Sequence, residues 1–147
     1  MTEQKNKNRK RTLSRLIAVQ VMYQFFFNSQ KKSCDKIKND LVQNYSFDHE
    51  DEISSYEEKI DAELLNKLIA STDFFEQIDQ EITPLVQQSV LNLDSLILQI
   101  LRLAVFELKI LKESPPKVII DEYVGIASSF FEFKKVTFVN AILDKFK

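Results

Sequence analysis

A chain of 147 residues with a net charge of −2 has single-domain length, enough to bury about two thirds of its unfolded surface. Its single glycine excludes phosphate-cradling loops and dinucleotide fingerprints, which need spaced glycines for close backbone approach. One histidine, His49, and one cysteine, Cys34, exclude imidazole and thiolate metal clusters and an intrachain disulfide, so neither metal nor cofactor is expected.

The unpaired cysteine, with no charged-then-apolar signal segment at the start, points to a cytoplasmic protein. Three prolines and one glycine leave few residues for hairpin turns, whereas Leu, Ile, Lys, Glu and Gln favour helix, so the composition predicts an all-α fold. His49 stands in the acidic stretch SFDHEDE and reads as a solvated loop histidine, and no carboxylates fall in a spacing that specifies acid–base work. No enzyme is expected.

Residues 1–11 lack apolar periodicity and set Lys5, Lys7, Arg9, Lys10 and Arg11 against the single acid Glu3, which predicts a mobile basic arm. The arm has two readings, a solubilising tail or a nucleic-acid contact that neutralises phosphates. From Leu13 to Phe25, apolar residues recur at helical steps and predict a first core helix ending near Asn28, with Arg15 on its first turns and Gln20 and Gln24 interrupting its apolar face. A weaker helix is expected over residues 34–44 with Ile37, Leu41 and Val42 inward, followed by an acidic connection. Residues 57–75 carry the stripe Ile60, Leu64, Leu65, Leu68 and Ile69; the pattern continues through Ile78 and Ile82, and Pro84 marks a boundary before a short helix.

Residues 96–112 are apolar around most of the helical circumference and predict the central helix, capped by Asp94 or Ser95. With 17 residues, four of them charged, the run is shorter and more polar than a bilayer span of about 20 residues. Ser114, Pro115 and Pro116 stop it. A helix over residues 118–130 should bury Ile119, Tyr123, Ile126, Ala127 and Phe130, and a last one opening at Lys134 should bury Val136, Val139, Leu143 and Phe146, broadened by Ile142. Phe138 lies beside that stripe near Lys134 and Lys135; it reads either as packing in a wide core or as an aromatic edge for stacking RNA bases.

LRLAVFEL at residues 101–108, PPKVIIDE at 115–122 and FVNAILDK at 138–145, in this order and separation, strongly resemble the NusB family of bacterial transcription antitermination factors. RTLSRLIAVQVMYQ at 11–24 is similar to the opening helix of that family, with Gln20 and Tyr23 in the places of its usual Gln and Tyr, and the likeness is loosest over residues 28–63. The resemblance implies a NusB-like helical bundle of two three-helix halves, roughly 12–82 and 83–147, joined by the long central helix. It implies an RNA-binding factor that, with ribosomal protein NusE, binds boxA single-stranded RNA of ribosomal RNA operons within the RNA polymerase antitermination complex. By position, Lys10, Arg11, Arg15, Gln20, Lys134 and Phe138 map to the RNA side.

The chain departs from the family pattern at several places. Phe131 and Ala141 stand where glycines are usual, and Lys134 stands where some relatives carry an acid. Ile97 and Leu98 replace an acidic and basic pair, and the acidic position is associated with the NusE surface; an exposed apolar pair would serve either NusE or a homodimer. An rRNA methyltransferase carrying such a domain is not expected, for want of length and of a glycine-rich loop. A helical protein–protein adaptor that has lost RNA contact is the competing reading.

Overall fold

The computed structural model describes residues 2–28, 30–45 and 59–147, and among these the regular structure is helical throughout, without a strand. In chain order the helices are α1 (Thr2–Phe27), α2 (Cys34–Tyr45), α3 (Ala62–Ile69), α4 (Phe75–Val86), α5 (Ser95–Phe106), α6 (Pro116–Phe130) and α7 (Phe133–Asp144). Short 3-10 turns lie at Ala70–Phe74 and Val90–Asn92, and a π-helical turn at Glu107–Leu111. His49 and most of the acidic connection lie outside the described residues. No described helix is long and apolar enough to cross a membrane.

The chain divides into two compact units, Met1–Ala70 and Ser71–Lys147. The boundary therefore falls after Ala70, not near residue 82. Within the second unit α5 packs on α4, α6 and α7.

In the first unit α1 packs against α2 and α3. The segment expected as an irregular arm is helical from Thr2 onward, although residues 2–9 are exposed. Its Lys, Arg, Glu and Gln are good helix formers, and once the buried turns downstream are fixed each added residue gains a hydrogen bond without a new nucleation cost. Ser14 ties α1 to the start of α3: its Oγ accepts from the Asp61 N–H at 2.7 Å and lies within hydrogen-bonding reach of the Asp61 and Lys10 carbonyl oxygens, at 3.1 and 2.7 Å. Asp61 in turn caps α3, its carboxylate accepting from the Leu64 N–H at 3.0 Å. The predicted stripe of Leu64, Leu65, Leu68 and Ile69 is buried, as are Ile37 and Val42 of α2.

In the second unit Pro84 does not end a helix but sits inside α4, which closes at the left-handed Gln87. Its missing N–H frees only the Gln80 carbonyl, on an exposed turn where water can take its place. Asp94 caps α5 as expected, accepting from the Leu96 and Ile97 N–H groups at 2.9 and 3.3 Å. Every residue from Ile97 to Phe106 is buried, so α5 is the core of this unit. Beyond Phe106 the helix widens into the π turn, closed by the Lys112 N–H on the Glu107 carbonyl at 2.8 Å with Lys112 left-handed at φ 53°.

Three polar side chains that interrupt this apolar run are buried with it. Arg102 holds Asp79 of α4 in a two-pronged pair, Nε at 2.9 Å and Nη2 at 2.7 Å, with its guanidinium carbon 4.9 Å from the Phe75 ring centre. Its Nη1 lies 3.4 Å from Oε1 of buried Gln99. Glu107 accepts from the Tyr123 hydroxyl of α6 at 2.6 Å. Gln99, Arg102 and Glu107 thus serve as internal fastenings, whereas Lys109, further along the same run, faces solvent.

Candidate nucleic-acid interface

Helical continuation of α1 arranges the N-terminal cations around a rod. Lys5, Lys7 and Arg9 are exposed, while Lys10 and Arg11 are half-buried. Arg11 is partly committed, its Nε 3.7 Å from the Asp61 carboxylate that caps α3. Gln20 is half-buried.

Arg15 departs from its expected role, because it is 1% exposed and offers no guanidinium to a phosphate in solution. The reason is helical phase. Arg15 precedes Ala18, Val19 and Met22 by three, four and seven residues, which puts it on the buried face of α1. That spacing is legible in the sequence and is the signal that assigns Arg15 to the interior.

The expectation for Ile97 and Leu98 is also overturned, since each is 5% exposed and no exposed apolar pair exists there. In a helix apolar on nearly every side, the charged-to-apolar exchange extends the core.

On α7 the expected residues are accessible. Lys134 is exposed, and Phe138 lies one turn further along the same face and is half-buried. Lys134 has no ion-pair partner among the described residues. Lys135 is exposed, with its ammonium 5.0 Å from the Phe131 ring centre. Phe131 occupies the usual glycine position in extended backbone, φ −132° and ψ 161°, which any residue adopts. Phe130, expected inside, is 43% exposed at the end of α6, and Phe133, which the periodicity did not single out, is 85% exposed. Its signal in the sequence was its place between Glu132 and Lys134, ahead of the apolar stripe that starts at Val136.

Among the described residues no group of three or more His, Cys, Asp and Glu side chains could hold a metal. What the exposed groups can do is bind: ammonium and guanidinium groups neutralise phosphate, and aromatic faces stack on bases.

The NusB family model matches residues 12–147. A transcription antitermination protein NusB of Histophilus somni strain 129Pt is 31% identical over 146 residues, covering 99% of this chain and 94% of the relative. The protein of the same description from Psychromonas ingrahamii is 30% identical over 141 residues, with 96% and 90% covered. A solved structure of T. maritima NusB superposes with a TM-score of 0.72 at 22% identity, covering 92% of this chain and 88% of that one, and agrees with the fold. A family match from Thr12 to the last residue, joined to relatives of similar length throughout, places this chain in the NusB family.

Proposed function

We propose that this chain is a transcription antitermination factor that binds single-stranded RNA of the boxA type together with ribosomal protein NusE, and that it catalyses no reaction. The observation that carries the reading is the exposed face of α7, where Lys134 and Lys135 stand beside Phe138 in a chain whose relatives are named transcription antitermination proteins. The cations supply affinity that depends on salt, and the aromatic ring supplies stacking that does not. Lys5, Lys7, Arg9 and Lys10 add further positive charge in the first turns of α1, with Arg11 contributing through the nitrogens that Asp61 leaves open. Gln20, half-buried on α1, is the uncharged polar residue assigned to the same contact. Arg15 has no part in this contact, and neither do Ile97 and Leu98.

The test is titration of a labelled boxA-type RNA with the full chain, with and without NusE, across a series of salt concentrations. Replacing Lys5, Lys7 and Arg9 by alanine should weaken binding and flatten the slope of log affinity against log salt by up to about 2. Phe138→Ala, with helicity checked by circular dichroism, should cost about 1–3 kcal/mol at every salt concentration and leave the slope unchanged. Binding like the parent by both variants would favour a protein–protein adaptor in place of an RNA-binding factor.

A further inference from the structure

The corner between α6 and α7 presents aromatic surface that the contact above does not use. Phe133 opens α7 at 85% exposure, the highest among the exposed large hydrophobic side chains. Among the described residues it has no ring partner. Phe130, 43% exposed, ends α6 three residues earlier. The ring of Phe133 therefore does not hold the fold together at this corner.

The charges around it select the occupant. Lys134 and Lys135 follow directly and are both exposed, and Glu132 is the one carboxylate in residues 130–135. On the helix Lys134 and Phe138 share one stripe, four residues apart, and Phe133 stands on the neighbouring edge about 100° away. Around the helix Lys134 thus lies between Phe133 and Phe138, which are about 140° apart, and Lys135 follows on the far side of Phe138. An anionic chain bearing flat apolar faces matches this arrangement, and single-stranded RNA has that chemistry.

We propose that Phe133 is a second base-stacking residue, so that bases lie on Phe138 and on Phe133 to either side of a phosphate held by Lys134, with Lys135 holding the phosphate beyond Phe138. The inference rests on the reading of this chain as a single-stranded RNA binder and extends its RNA path to the α6–α7 corner.

The experiment compares Phe133→Ala, Phe133→Leu and Phe133→Tyr in the full chain, with NusE present, by fluorescence anisotropy on a labelled single-stranded RNA of boxA type. Because the side chain is exposed, each variant should keep the parent's circular dichroism spectrum. Phe133→Ala and Phe133→Leu should each weaken binding about five-fold or more with an unchanged salt slope, and Phe133→Tyr should stay within about two-fold of the parent. Lys134→Ala with Lys135→Ala should instead reduce the slope by about 1.4, as two lost phosphate contacts require.

Parent-like binding by Phe133→Ala, with weakening by the lysine pair, would overturn the inference and leave the RNA reading standing. Parent-like binding by Phe133→Leu would also overturn it, since an aliphatic side chain offers apolar contact without a stacking face. If Phe133→Ala weakened NusE binding in the absence of RNA, the ring would belong to a protein interface and the inference would be wrong. Failure of the parent to bind any single-stranded RNA would remove the RNA reading and this inference with it.

Discussion

Replacing Asp79 by alanine removes the carboxylate that receives two hydrogen bonds from Arg102, at 2.9 and 2.7 Å. The two partners are unequally placed, with the arginine side chain 8% exposed and the aspartate side chain 21% exposed. Without Asp79 the Arg102 charge would be held where little water reaches it, whereas without Arg102 the Asp79 carboxylate can rehydrate. Breaking a buried ion pair by removing one partner costs about 3–5 kcal/mol. The Phe75 ring and Gln99 still face the guanidinium after the change, which puts Asp79→Ala at the low end, near 3 kcal/mol. Arg102→Met keeps an apolar stem and leaves the more exposed partner behind, so it should cost only about 1–2 kcal/mol.

The double variant should be more stable than the sum of the single losses predicts, by about 1 kcal/mol or more, because its second change removes a charge that the first had orphaned. Urea unfolding of the parent and the three variants at one pH, followed by circular dichroism and extrapolated linearly, measures all four values. A loss below about 0.5 kcal/mol for Asp79→Ala, or a larger loss for Arg102→Met than for Asp79→Ala, would refute the reasoning from unequal burial.

Leu101→Ala, at a side chain with no solvent exposure at the centre of α5, should destabilise the protein by about 2–5 kcal/mol in the same urea assay. Ser14→Ala should cost about 1–3 kcal/mol, since the Asp61 N–H loses its acceptor at a buried junction; an unchanged urea midpoint would show that the Ser14–Asp61 tie contributes nothing. Burial first, and then the neighbouring Asp35 carboxylate, pushes the Cys34 thiol up, so iodoacetamide at pH 8 should label the folded protein more slowly than the urea-unfolded chain. The same shift favours the protonated thiol in the folded state: its contribution to stability is present below the unfolded pKa and is lost as pH rises through the folded one, so the urea midpoint should fall on the alkaline side.

What the sequence determined by itself was the helical class, most of the inward-facing residues, and the punctuation of the second unit. The Asp94 cap and the Ser114–Pro115–Pro116 stop are local chemistry, and the chain obeys them: α5 starts at Ser95, and α6 takes Pro116 at its first position, where a missing N–H leaves no intrahelical bond unmade. The accessibility of Lys134 was legible for the same reason, because its phase on α7 points away from Val139 and Leu143.

Tertiary structure decided which polar residues go inside and where the units divide. Periodicity says which face of a helix is apolar, but a charged or polar residue on that face is accommodated only when the fold delivers a partner. Arg102 finds Asp79 at 23 residues' separation, and Glu107 finds Tyr123 at 16 residues' separation, so neither pairing is written in any local window. Ile97 and Leu98 are interior because neighbouring elements surround α5 on nearly every side, and a single helix cannot show how many of its faces will be covered. The boundary after Ala70 likewise follows from α4 packing on α5, a contact between segments whose individual patterns are equally consistent with either unit.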